Sequence, residues 1–311
     1  MAITAQQVKE LRELTDCGIM DCKKALTEAN GDIEKAKAWL REKGMAKAEK
    51  KSSRVAAEGQ VASFITDDAK YGVLVEVNVE TDFAAATPKF KAFVDAIGAQ
   101  IMATKPADVE ALKASAMYND ASKTVEVFTK EAIADVSENI TVRRFAAYDA
   151  ANGAVASYIH AGGKVGVITE FALADASKAS SDVFKTVAKD IGMQIAASNP
   201  NWVVESEVPQ AELDKETEII TKKALEEGKP EKIIADRIVP GQIKNFYKLN
   251  VLVDQEYVKD DSITVAQYLA NASKELGTEI SVVRFTRFGL GEGIEKKEDD
   301  FAAEVMKQAG L

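Results

Sequence analysis

The 311-residue chain is long enough for about two domains and a substantial core, and its 46% hydrophobic and 29% charged residues exclude a mainly disordered or fibrous protein. Its 40 basic and 50 acidic side chains leave a net charge of −10, which argues against a surface that grips nucleic acid as a whole; no direct nucleic-acid contact is expected. No run approaches the roughly 18 apolar residues a membrane helix needs, and MAITAQQVKELRELTD has no signal-peptide stretch, so a cytoplasmic chain without membrane contact is expected.

Residues 1–43 read as a three-helix module. Thr4 caps a helix carrying Val8, Leu11 and Leu14, and Asp16-Cys17-Gly18 breaks it. Ile19, Met20, Cys22, Ala25 and Leu26 supply the next apolar face. Asn30-Gly31-Asp32 then turns into a third helix, Ile33–Arg41, which Asp32 caps and which buries Ile33, Ala36, Trp39 and Leu40. The Gly18 loop and the GDIEKAKAWL helix resemble ubiquitin-associated domains, which are docking modules. Cys17 and Cys22 lie five apart, outside CxxC spacing, and read as reduced thiols packed as small hydrophobes. Residues 44–55 follow as a basic linker, in which Lys47, Lys50, Lys51 and Arg54 face the single acid Glu49. It reads as a solvated hinge or as a contact strip for an acidic partner.

The remainder is a duplication. At an offset of 94 residues, Gly59–Ile65 aligns with Gly153–Ile159, Gly72–Glu76 with Gly166–Glu170, and Ile97–Ile101 with Ile191–Ile195. Each copy reads as a β-hairpin followed by an amphipathic helix, an α+β pattern with small antiparallel sheets. A third strand closes each copy, Ile140–Phe145 and Ile280–Phe285, at an offset of 140, so the second copy carries about 46 extra residues. The first half spans 56–146 and the second 147–289, with the insert at about 207–250. There Leu213, Thr217, Ile220 and Ala224 form one stripe, Gly228-Lys229-Pro230 turns, and Ile233, Ile234 and Ile238 continue on a return helix that Pro240-Gly241 should break. This reads as a protruding antiparallel helical hairpin, a partner-binding or dimerisation arm, or else as a helical excursion packed on its own sheet. Residues 290–311 follow a glycine joint as a charged C-terminal helix, Ile294–Gln308.

Function is sought where the copies disagree. After Glu80 the first copy reads Thr81-Asp82-Phe83-Ala84, whereas the matching Asp175–Lys178 holds nothing aromatic. Asp82 reads equally well as a helix N-cap with Phe83 as a staple onto that helix. His160, the only histidine, sits at a turn of the second copy where the first has Thr66, and reads as an interface or surface residue. Any Ser-His-Asp or Cys-His arrangement would have to use it. Neither a phosphate-binding GxxxxGK[ST] nor a dinucleotide-binding GxGxxG occurs, so no enzyme, cofactor or metal site is expected.

Six stretches in order, MDCKKALTEANGDIEKA (20–36), LVEVNVETDF (74–83), ENITVRRF (138–145), QIAASNP (194–200), EEGKPEKI (226–233) and GEGIEKKEDDFAAEV (291–305), resemble the bacterial elongation factor Ts family from end to end. The resemblance implies a guanine-nucleotide exchange factor for elongation factor Tu. It makes Asp82 and Phe83 a wedge beside the partner's magnesium and nucleotide pocket, flanked by Thr81 and by Ala84, where the family usually has valine. It implies G-domain contacts around Cys22, Lys23 and Lys51 and along a terminal helix with Ile294, Phe301 and Val305, and a contact outside the nucleotide pocket at His160. The hairpin resembles the family's dimerisation arm and implies a homodimer, although Pro240 stands where uninterrupted helix is expected. Without the resemblance the modules equally describe an adaptor that tethers partners without promoting exchange.

Overall fold

Thr4 starts the first helix by accepting the Gln7 N–H at its hydroxyl (3.2 Å) and donating its own N–H to the Gln7 side chain (3.0 Å). The structure is a computed structural model that describes residues 3–15 and 17–295. Helices α1 (Ala5–Thr15), α2 (Ile19–Glu28) and α3 (Ile33–Lys51) enclose Leu11, Cys22, Ala25, Leu26, Ala36 and Leu40. Asp32 caps α3 as its sequence position requires, accepting the Lys35 N–H at 3.0 Å. Leu14, expected inside, is exposed.

Helix α3 overturns the linker reading of residues 44–55, because it runs on to Lys51. The reason is tertiary. A Cβ on Gly44 would lie 3.1 Å from the Ala134 methyl, so the glycine lets α3 approach the helix that carries Ala134. Arg41–Glu131 (2.8 Å) and Lys130–Glu49 (3.0 Å) then fasten the two together, and the basic run becomes one face of a docked helix.

The first copy runs β1 (Glu58–Ile65), β2 (Tyr71–Val79), α4 (Asp82–Ala85), α5 (Pro88–Thr104), α6 (Val109–Ala114), β3 (Ala116–Met117), β4 (Asp120–Thr124), α7 (Val125–Val136) and β5 (Ile140–Asp149). The second runs β6 (Gly153–His160), β7 (Val165–Leu173), α8 (Asp182–Ser198), α9 (Gln210–Glu226), α10 (Glu231–Ile233), α11 (Val239–Asn250), β8 (Glu256–Tyr257), β9 (Asp260–Thr264), α12 (Val265–Leu276) and β10 (Ile280–Gly289). Two three-stranded sheets, ordered β1-β2-β5 and β10-β7-β6, and two small hairpins, β3-β4 and β8-β9, make an α+β fold. In the second sheet Gly153 pairs with Ala172 and Ile280 with Leu173, both antiparallel to the central strand. Every residue of β2 is buried, as expected of a middle strand covered on both faces.

Both α5 and α8 begin on a hydroxyl cap, Thr87 accepting from Phe90 N–H and Ser181 from Phe184 N–H, and both end in a left-handed residue, Lys105 and Asn199, each at φ 45°. The small hairpins went unpredicted, since a two-residue strand shows no alternation. A buried glutamine of each long helix holds them. Gln100 donates to the Ala116 carbonyl (2.9 Å) and accepts the Tyr118 N–H (2.7 Å); Gln194 does the same with Glu256 (3.1 Å) and Val258 (2.7 Å).

The insert enters and leaves side by side, with Leu252 N–H donating to the Trp202 carbonyl (2.8 Å) and Asn201 N–H to that of Asn250 (2.8 Å). Ile220, Ala224 and Ile234 fill its seam. Pro240 does not break the return helix. The chain passes through a π-helical turn, Ile234–Ile238, into α11, whose first turn needs no N–H from the proline. The chain divides into two compact units. One holds the described residues up to Gln60, Val75–Phe145 and the described residues from Leu290; the other holds Val61–Leu74 and Ala146–Gly289.

Candidate functional site

Strand β2 ends at Val79, and three residues later, at Asp82, the chain is already helical. Thr81 makes that change possible. It is extended at φ −126°, ψ 155°, and its hydroxyl accepts the Ala84 N–H at 3.2 Å, so Thr81 is the N-cap of α4. Asp82 is the first helical residue and is exposed, which corrects the reading of Asp82 as cap. Phe83 is 84% exposed, so it staples nothing. Ala84, expected beside the wedge as a side contact, is buried in the chain itself. At the far end Thr87 donates its hydroxyl to the Ala84 carbonyl (2.7 Å) and caps α5 in turn.

Beneath this turn lies a polar network that reasoning from the sequence missed. The Glu138 carboxylate accepts both the Thr81 N–H (2.9 Å) and the Thr81 hydroxyl (2.8 Å). Glu80 accepts the Asn139 N–H at 2.6 Å and pairs with Arg54 at 3.4 Å. The buried Asn139 side chain donates to the Arg54 carbonyl at 2.7 Å. Lys51, expected to reach a partner, instead donates its ammonium to the Ser137 carbonyl at 2.6 Å. Burial pushes the Lys51 ammonium below its ordinary pKa, and neighbouring Arg54 adds to the shift.

The 140-residue offset could have found this network. Thr278 stands where Glu138 stands in the first copy, and its hydroxyl accepts the Asp175 N–H at 2.9 Å. The anchor position is shared, but there it serves a short 3₁₀ stretch, Ala176–Ser180, with no aromatic residue.

On α2, Lys23 is exposed, whereas Cys22, expected among the partner contacts, is fully buried with its thiol toward the Cys17 carbonyl (3.7 Å). Burial pushes the Cys22 thiol pKa up, which suits a packing role. Ile19 (55% exposed) and Met20 (75%), expected on an inward face, lie open on the first turn of α2. An open groove of about 420 Å³ runs past Ile19, lined also by Val8, Lys9, Arg12 and Lys23 among others. In the other unit, His160 is exposed at the β6–β7 turn, with its Nδ1 3.1 Å from the Tyr158 hydroxyl. Ile294 is half-buried and donates its N–H to the Gly291 carbonyl at 3.0 Å. Phe301, Val305 and the rest of the expected terminal helix lie outside the described residues. The structure thus joins Thr81–Ala84 and Lys51 through one network, and places Lys23 on the groove beside α1.

Among the described residues no group of three or more His, Cys, Asp or Glu is placed to hold a metal ion, and no helix is long and apolar enough to cross a membrane.

A family model described as elongation factor TS matches residues 80–292. The chain is 49% identical over 311 residues to an elongation factor Ts of Trichlorobacter lovleyi, covering 100% of both chains. It is likewise 49% identical to an elongation factor Ts of Clostridium kluyveri, over 98% of each chain, and of Clostridium perfringens, over 99% of each.

Proposed function

The chain belongs to the elongation factor Ts family of translation elongation factors, and from that premise we propose that it binds elongation factor Tu carrying GDP and promotes release of the nucleotide. The observation that carries this reading is Phe83, an aromatic side chain 84% exposed on a turn capped at both ends, in the one copy of the duplicated fold that has it. A large apolar side chain held in solvent gains about 2 kcal/mol when it is buried in a partner.

Magnesium needs near-ideal octahedral geometry at about 2.0–2.1 Å, so a small displacement of its ligands costs much affinity. Phe83 and the neighbouring Asp82 carboxylate, entering beside the partner's nucleotide pocket, supply such a displacement without bonding to the nucleotide. By linkage, GDP weakens binding of the factor by the ratio in which the factor weakens GDP. No bond is made or broken, and this chain is an exchange factor rather than an enzyme.

The open Ile19–Met20 patch with Lys23 is a second docking surface, apolar at its centre and cationic at its edge. His160 and the segment from Ile294 on are further contacts. Ile219, Leu225 and Ile233, exposed on the helical arm, suit a homodimer contact. Residues 1–43 act in this reading as a docking module and the arm as an insertion in the second half.

The test is release of a fluorescent GDP from purified elongation factor Tu. Wild-type chain accelerates it, and Phe83→Ala lowers the maximal acceleration about tenfold or more while binding persists, a factor equal to about 1.4 kcal/mol. Binding without acceleration leaves an adaptor and overturns the exchange reading.

A further inference from the structure

We propose that Glu138 is the positioning residue of the Phe83 turn: its carboxylate fixes Thr81 and thereby sets the direction in which Phe83 projects. The inference rests on the exchange reading above.

Helix α4 has four residues. One turn of helix is unstable alone, because fixing its backbone costs more than its few hydrogen bonds return. Phe83 cannot steady it, since the ring lies in solvent. The buried Ala84 and the Thr87 hydroxyl on the Ala84 carbonyl hold its far end, and its start rests on the cap. Thr81 holds the Ala84 N–H, but a threonine hydroxyl rotates freely and its backbone joins a strand to a turn. Glu138 removes both freedoms with one group, taking the Thr81 N–H on one carboxylate oxygen and the hydroxyl on the other. With its proton given to Glu138, the hydroxyl oxygen is left as the acceptor that the cap requires.

Glu138 is itself held on both sides. The preceding Ser137 adopts a left-handed φ of 67° and receives the Lys51 ammonium, and the following Asn139 is tied to Glu80 and to the Arg54 carbonyl. The carboxylate therefore waits in place before any partner arrives.

The second copy supports the assignment. Thr278, at the same position, gives Asp175 a single hydrogen bond through a neutral hydroxyl, and that turn presents no aromatic side chain. A two-point anionic clamp occurs where an exposed ring must be aimed, and a one-point neutral one where none is present.

The full-length chain carrying Glu138→Ala, and separately Glu138→Gln, tests this with two readouts. Amide hydrogen exchange at Thr81 and Ala84, measured without partner, accelerates at least tenfold in Glu138→Ala. In fluorescent-GDP release from elongation factor Tu, the factor concentration giving half-maximal acceleration rises about tenfold, because only about a tenth of the molecules hold the turn ready to bind. The maximal rate stays within about twofold of wild type, since Phe83 is intact once bound; Phe83→Ala shows the opposite split. Glu138→Gln, which can offer the Thr81 pair only one carbonyl oxygen, falls between and serves alone if the alanine variant does not fold. Unchanged amide protection, or faster exchange with an unchanged half-saturation, overturns the assignment. Wild-type chain that fails to accelerate release overturns the exchange reading, and this inference with it.

Discussion

Glu76 lies fully buried in the middle of β2, and four donors converge on its carboxylate: Arg143 at 3.0 Å, Arg144 at 2.6 Å, the Gly291 N–H at 2.8 Å and the Asn78 side-chain amide at 3.2 Å. Burial alone would push its pKa up. The Gly291 amide, Arg144 and Arg143 together outweigh burial and hold the carboxyl below its ordinary value of 4.5. A carboxyl depressed in the folded chain stabilises the fold fully above that ordinary value and loses the contribution as pH falls through the folded value. Glu76→Gln is therefore expected to cost about 2–4 kcal/mol at neutral pH, the lower figure allowing for two arginines that reach solvent. The variant should also lose less stability than wild type between about pH 5 and about pH 3. Urea unfolding at several pH values checks both, and parallel pH profiles would refute the carboxylate's role. Phe83 could be singled out from the sequence because its copy-specific chemistry is visible in one place. Glu76 and Glu138 could not, because their partners lie 67 and 57 residues away and no local period encodes such a pairing.

At the scale of elements the two halves share a scaffold and differ in what fills it. In the second half, Asp190 of α8 accepts hydrogen bonds from Tyr257 (2.7 Å), Tyr268 (2.9 Å) and Lys259 (2.6 Å), and the two tyrosine rings stack 4.2 Å apart. The matching positions in the first half are Ala96, Met117 and Phe128, all apolar. Burial first, and then the Asp190 carboxylate, push the Tyr257 hydroxyl up to about 12 and Tyr268 higher still. A group whose folded pKa is raised stabilises the fold fully below its ordinary value of 10 and stops doing so as pH rises through the folded value. The chain should thus lose stability between about pH 10 and about pH 12. Phenolate absorbance titration checks this: in Asp190→Asn the first tyrosine ionises at lower pH, because burial remains and the anion does not. An unshifted titration would remove Asp190 as a cause. Element boundaries were hardest to read where a neighbour decided them, as where α7 carries α3 on to Lys51 and a π-helical turn absorbs Pro240.

Across the whole molecule the duplication was the most legible feature, because equal spacing survives sequence change. Strand β2 and helix α5 recur 94 residues on as β7 and α8, and α7 and β5 recur 140 residues on as α12 and β10. What the spacing did not disclose is how the copies interlock, since that depends on side chains meeting across the repeat. Val61 N–H donates to the Gly163 carbonyl and Val155 N–H to that of Ala69, a reciprocal pair at equivalent positions, and the Ser157 hydroxyl donates to its own counterpart, Ser63, at 2.9 Å. Equivalent glycines make the approach possible. A Cβ on Gly72 would lie 2.8 Å from the Val155 Cγ1, and one on Gly166 would lie 2.5 Å from the Val61 Cγ1. Valine is stiff at χ1 and cannot swing aside cheaply. Gly72→Ala and Gly166→Ala are each expected to cost about 1–3 kcal/mol by overpacking. The double variant should cost less than their sum, because a displacement that relieves one clash opens space for the other. Urea unfolding midpoints with unchanged m-values would establish the shared seam, whereas full additivity would mean that each glycine serves only its own hairpin.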